Sequence, residues 1–175
     1  MKKPFHTLVL LVAAALGAAC GQSEPAGPGT SAGPSPTTTP AASAPVAHDG
    51  RVIEITGDDT IKFSVTEITA APGERLSVTL VNTGSMPKFS MGHNWLLLAL
   101  NVEIEKFLVA AAESPTTDYV PASMKDGILA STKLLGPKER DTVTFTAPTA
   151  PGRYEFICSF PGHYQVGMKG VLIVG

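Results

Sequence analysis

Apolar residues alternate with polar ones along several short segments, and this feature constrains the fold most strongly. Every second residue is apolar in RLSVTLV (75–81), and the alternation recurs in TVTFT (142–146) and RYEFIC (153–158). A period of two places successive side chains on opposite faces of a half-buried strand. VIEIT, IKFSV and GVLIV are further candidate strands, and Pro-Gly, Asn-Thr-Gly and Gly-Pro turn signals separate the segments. The pattern predicts an all-β domain folded as a β-sandwich.

One segment departs from this alternation. Apolar residues at Ile104, Phe107, Leu108 and Ala111 follow the spacing of an amphipathic helix, and Pro115 discourages its continuation. We expect one helix here, followed by irregular chain to about residue 131. This stretch would be an insertion between strands that covers one side of the sandwich.

The N-terminal segment has the composition of an export signal. Two lysines precede an apolar run of about 15 residues, which is shorter than the about 20 that a membrane-spanning helix needs. Small residues then lead into Cys20. This order predicts a signal peptide at 1–19, with Cys20 lipidated at the mature N-terminus as in bacterial lipoproteins. The alternative is an ordinary secretory signal with an incidental cysteine, and the mature protein is exported in either case.

Residues 20–48 contain mainly Pro, Ala, Ser, Thr and Gly, with almost no large apolar side chain. Such a segment cannot bury enough surface to offset the entropy of ordering, so it is expected to be a flexible linker. The folded domain would then occupy residues 49–175. The formal net charge of the whole chain is −2, which argues against a nucleic-acid ligand.

Cys158 is the only cysteine of this predicted domain, so it cannot form a disulfide within it. Taken alone, it could be a small buried hydrophobic residue. However, His163 and Met168 follow it, with four residues between each pair. Cys158 is expected at the end of a strand, and turns at SFPG and YQVG could fold the three side chains around one point.

A thiolate, an imidazole and a thioether form a donor set that suits copper. The blue-copper arrangement combines two histidines and a cysteine with a weak axial methionine, so one more histidine is needed. His48 lies at the end of the linker and is a poor candidate. His93, in MGHNW, could be brought opposite Cys158 by strand pairing, although a histidine in such a position can also be a hydrogen-bonded core residue.

These segments resemble the cupredoxins, and specifically the azurin and auracyanin group, through MGHNW, CSFPGH, MKG and STKLLGPKERDTVTF. The resemblance covers the chain from about residue 50 onward and implies a Greek-key β-sandwich. It implies that one type 1 copper ion binds His93, Cys158, His163 and Met168, with the carbonyl of Gly92 as a weak axial contact. Azurins have one residue fewer before the methionine, so YQVG is more similar to auracyanin. Azurins also carry an internal disulfide, which this chain cannot form.

The resemblance also suggests roles for residues around the metal. Asn94 would tie the two ligand-bearing loops together near the sulfur, or else be a polar residue at a strand edge. Met91, Phe160 and Pro161 would pack around the site and exclude water, which is compatible with ordinary core packing.

The predicted function is electron transfer and not catalysis. By resemblance, redox proteins would dock around the edge of His163, and the chain would lie in the periplasm or on the outer face of the cell membrane, tethered through its lipid. A copper-binding module for copper delivery or storage is the alternative, and a metal-free domain that keeps the fold is a third. The histidines are too few for a second copper site of the nitrite reductase kind, and a dinuclear site would need two cysteines in the loop. Zinc is an unusual partner for methionine.

Overall fold

The computed structural model describes residues 50–175. The predicted signal peptide, Cys20 and the whole predicted linker, which includes His48, lie outside these residues, so the expectations about them stay predictions. The strands are β1 (Arg51–Gly57), β2 (Glu67–Ala70), β3 (Arg75–Asn82), β4 (Leu96–Leu98), β5 (Ile128–Ser131), β6 (Arg140–Thr146), β7 (Gly152–Ile157) and β8 (Lys169–Val174). The helices are α1 (Lys88–Met91), α2 (Ile104–Ala112) and α3 (His163–Val166), with 3-10 turns at Pro115–Thr117 and Ala122–Gly127.

The strands form two sheets. One has the order β1-β3-β6 and the other has the order β2-β8-β7-β4-β5. β1 runs parallel to β3, and β2 runs parallel to β8, whereas the remaining pairs are antiparallel. Since β7 and β8 are neighbours, the turns that follow Cys158 and precede Met168 lie at one end of the larger sheet.

The core lies between the two sheets, because one cluster of buried apolar residues draws on both. It includes Ile55, Leu76, Val78, Leu80 and Phe145 from the smaller sheet, and Ile68, Leu97, Tyr154, Phe156 and Leu172 from the larger one. Phe156 and Trp95 stack here with ring centroids 5.5 Å apart. The period-two alternation therefore identified the inward faces, and the predicted β-sandwich is confirmed.

Helix α2 covers the outer face of the larger sheet. Phe107 and Ala111 are fully buried and form a second apolar cluster with Leu96, Leu98 and Ile157. β4 is therefore buried on both faces, which explains its uninterrupted run of leucines. Among the described residues, no helix combines the length and apolar character that crossing a membrane would require.

Two expectations about local structure were wrong. IKFSV (61–65) is not a strand, because Ile61 adopts a left-handed backbone (φ 58°) that ends the extended geometry, and only Phe63 forms a bridge, to Gly57. The chain before residue 131 is not wholly irregular, since Ile128–Ser131 forms β5 and pairs with β4. β5 is an edge strand whose extended conformation depends on its pairing with β4, so its own four residues give only a weak strand pattern.

Candidate metal centre

His93 is held by the chain just before β4. It forms an isolated bridge with Leu135, in which the His93 N–H donates to the Leu135 carbonyl (3.1 Å) and the Leu135 N–H donates back (2.7 Å). This pairing anchors both the N–H and the carbonyl of His93, although β4 itself begins only at Leu96.

Cys158, His163 and Met168 lie on one loop that leaves β7 and enters β8. The Cys158 N–H donates to the Met168 carbonyl (3.0 Å), and the Met168 N–H donates to the His163 carbonyl (2.9 Å). α3, which runs from His163 to Val166, is a single turn flanked by Gly162 and Gly167, both of which have positive φ. The predicted pair of turns around the loop is therefore present, and it folds the three residues back on one another.

The three side chains meet at one buried point. The ligand atoms of His93, Cys158 and His163 all lie within 4.8 Å of one another. The two Nδ1 atoms are 3.3 Å apart, and Cys158 Sγ is 3.5 Å from His163 Nδ1. The Nδ1 atoms of both imidazoles thus face each other at this point, although 70 residues separate the two histidines.

Met168 is fully buried beside the same cluster. A Cβ atom built on Gly57 would lie 2.7 Å from the Met168 Cε methyl and 3.4 Å from His93 Cδ2. The end of the thioether and the His93 ring therefore both contact the space in front of Gly57. The sequence had not singled out Gly57, and only the missing side chain at this position leaves room for both groups.

Burial keeps the cluster neutral in the absence of a metal. It raises the pKa of the Cys158 thiol to about 12. Burial, together with the nearby His93, lowers the pKa of His163 to about 4. The pKa of His93 is also lowered by burial, although the Asp58 carbonyl and the Asp59 and Asp58 carboxylates oppose that shift. The imidazoles are neutral at pH 7 and ready to bind a metal, whereas the thiol must lose its proton to become a ligand.

Asn94 connects the segments around the sulfur. Its side-chain oxygen accepts a hydrogen bond from the Ser159 N–H (2.8 Å), and its amide donates to Ser159 Oγ (2.8 Å) and to the Asp118 carbonyl (3.0 Å). Ser159 directly follows Cys158, so Asn94 fixes the start of the ligand loop. Asp118 and Ser159 were not expected as partners, because no local sequence pattern pairs residues this far apart.

The other predicted neighbours have varied positions. The Phe160 ring is buried, with its centroid 4.6 Å from that of His163, so it shields the imidazole. Pro161 is exposed and Met91 is half-buried. A Cβ on Gly92 would lie 2.7 Å from the Lys88 carbonyl oxygen, which explains a glycine here by packing. The proposed axial contact through the Gly92 carbonyl stays a prediction.

The donor set fits one type 1 copper ion. A thiol and two imidazoles converge in a buried site, and the thioether of Met168 packs beside them. A buried site with a single thiol and a thioether fits zinc less well, since structural zinc sites are built from several thiolates or imidazoles.

Comparison with known proteins gives the same result. Residues 51–175 match the family described as copper binding proteins, plastocyanin/azurin family. The chain is 37% identical to azurin from Pseudomonas denitrificans over 131 residues, which are 69% of this chain and 94% of that protein. It is 35% identical to auracyanin-A from Chloroflexus aurantiacus over 119 residues, which are 66% and 68% of the two chains.

The solved structures include a dithionite-reduced auracyanin from the photosynthetic bacterium Roseiflexus castenholzii. It superposes with a TM-score of 0.64 at 35% identity, covering 73% of this chain and 99% of that one. The sequence motifs had indicated the azurin and auracyanin group, and the matched family and relatives agree with them. This chain is therefore a blue copper cupredoxin and belongs to the plastocyanin/azurin family of copper-binding proteins.

Proposed function

We propose that this protein carries single electrons between redox partners outside the cytoplasm. The observation that carries the proposal is the buried convergence of one thiol and two imidazoles within 4.8 Å. His93, Cys158, His163 and Met168 would bind the copper ion. Copper, when bound, supplies a one-electron couple between Cu(I) and Cu(II).

The backbone around the site supports a carrier. Reciprocal bonds hold His93 to Leu135, and the bonds from Cys158 to Met168 and from Met168 to His163 close the ligand loop on itself. Donor atoms that are fixed in this way move little when the charge of the site changes. A small rearrangement favours rapid electron transfer.

The same burial argues against copper delivery or storage. A delivery site must exchange its metal with a partner, which requires exposed ligands. Here His93, Cys158 and Met168 are fully buried, and His163 is only 3% exposed. The four side chains would also fill the coordination sphere, so we propose a carrier and not an enzyme.

We further propose that redox partners dock over His163. The neighbouring Gly162 is exposed, and the next residues include the half-exposed Val166. On the other histidine's side, α1 presents Phe89 (83% exposed) and Met86 lies just before it (44% exposed). Apolar groups next to the metal ligands suit a small, transient interface.

The membrane tether is a separate part of the proposal. A lipid on Cys20, followed by the linker, would hold the domain at a membrane surface while it reaches its partners. When cells are grown with a radioactive fatty acid, the wild-type protein should become labelled and the Cys20→Ala variant should not. An unlabelled wild type would refute lipidation of Cys20.

The central proposal is tested by spectroscopy and voltammetry of the copper-loaded protein. We expect an intense visible band from copper-thiolate charge transfer, and repeated oxidation and reduction without loss of copper. Cys158→Ser, which keeps a buried side chain of similar size, should lose the band. A band that survives this substitution would refute the ligand assignment, and copper lost during cycling would support delivery or storage.

A further inference from the structure

Lys62 reaches from the turn after β1 to the loop between His163 and Met168. We propose that Lys62 is a positioning residue that clamps this loop and thereby holds the thioether of Met168. The Lys62 ammonium donates a hydrogen bond to the Val166 carbonyl, and a Cβ built on Gly167 would lie 2.6 Å from Lys62 Nζ. The ammonium therefore lies against the last two residues before Met168.

The backbone that carries Lys62 is fixed. The Ile61 N–H donates to the Asp58 carbonyl (3.0 Å), which closes the turn, and the positive φ of Ile61 reverses the chain direction. On the far side, Ser64 is bonded to Thr56 twice, through its N–H (2.9 Å) and through Oγ, which accepts from the Thr56 N–H (2.8 Å). Lys62 thus projects from a braced turn and not from a free loop.

The loop needs a partner at the point where Lys62 contacts it. α3 is a single helical turn, and the last carbonyls of a helix have no N–H partner within the helix itself. The Gly167 N–H returns to the Tyr164 carbonyl (2.9 Å), but the Val166 carbonyl points outward to the ammonium. A cation at the C-terminal end of a helical turn is favourable for the same reason.

Lys62 would act on the site in two ways, through its contact with the loop and through its positive charge. Gly167 has φ 106°, so its backbone is held in a conformation that most residues avoid, and the clamp secures it one residue before Met168. A positive charge near the metal disfavours the more highly charged oxidised form. Lys62 should therefore both order the loop and raise the reduction potential, and this second effect rests on the proposed electron-carrier function.

The test compares Lys62→Met, Lys62→Arg and Lys125→Met in the full chain. Methionine keeps an unbranched stem but removes the donor and the charge, whereas arginine keeps both. Lys125 is an exposed lysine in the 3-10 turn before β5, so its substitution makes the same charge change away from the loop. Amide hydrogen exchange is measured by NMR for Gly167 and Met168 in the metal-free and Cu(I) forms.

We expect Lys62→Met to accelerate exchange of the Gly167 and Met168 amides roughly three- to tenfold, as loss of one exposed charged hydrogen bond implies. Lys62→Arg and Lys125→Met should stay within about twofold of the wild type. The reduction potential should fall in Lys62→Met more than in Lys125→Met. Unchanged exchange in Lys62→Met would overturn the clamp. Copper that fails to cycle in the wild type would refute the carrier function, while exchange in the metal-free form would still decide the clamp.

Discussion

Acidification should destabilise the metal-free protein through its buried histidines. The perturbation is a change from pH 8 to pH 5 after removal of copper with a chelator. The pKa of His163 is lowered from 6.5 to about 4 by burial and by the nearby His93. The unfolded chain therefore binds a proton in this range that the folded protein refuses. Stability is fully present above about pH 6.5 and is lost as the pH falls toward 4.

The magnitude follows from the two pKa values. For His163 alone, the linkage relation gives a loss of about 2 kcal/mol in unfolding free energy between pH 8 and pH 5, and about 3 kcal/mol by pH 4. The lowered pKa of His93 adds a loss of the same sign. Asp58, Asp59 and Glu74 also have lowered pKa values, but their contributions fade only around and below pH 4 to 5.

Urea denaturation at several pH values measures this effect directly. His163→Phe is the matched control, because it keeps an aromatic ring against Phe160 and removes the titrating group. The wild type should lose about 2 kcal/mol more than this variant between pH 8 and pH 5. Equal losses in the two proteins would refute the claim that His163 is held neutral by burial.

Three substitutions around the site carry further predictions. Met168→Gln should retain copper but lower the reduction potential, because an oxygen donor favours Cu(II); an unchanged potential in voltammetry would exclude Met168 as axial ligand. Asn94→Ala should lower the unfolding free energy by about 3 kcal/mol, since the buried Ser159 groups and the part-buried Asp118 carbonyl lose their partner; a loss below about 1 kcal/mol in urea denaturation would contradict this. Gly57→Ala should displace the Met168 methyl and alter the EPR spectrum of the copper form, and an identical spectrum would show that the thioether lies elsewhere.

The sequence could predict the elements whose signal is local. Alternation at Leu76, Val78 and Leu80 marks the inward face of β3, and all three side chains are fully buried. The helical spacing of Phe107 and Ala111 likewise marks the buried face of α2. In both cases, the free energy of burying apolar surface acts on residues within one element, so a short window of sequence contains the information.

Local patterns failed where another segment decides the structure. IKFSV alternates like a strand, yet Ile61 turns the chain and only Phe63 pairs with Gly57. β5 forms because the edge of β4 is available to it, which its own four residues do not encode. Strand pairing depends on a partner that is distant in sequence, and propensity alone does not identify that partner.

The sequence alone determined the donor set of the candidate site. A single Cys158, followed at matched spacing by His163 and Met168, offers a thiol, an imidazole and a thioether, and this set suits copper. The tertiary structure decided which groups surround that set. It brought His93 within 3.3 Å of His163, left space at Gly57 and set Lys62 against the ligand loop. These contacts join residues about 70 to 110 positions apart, and only the packing of the two sheets fixes such distances.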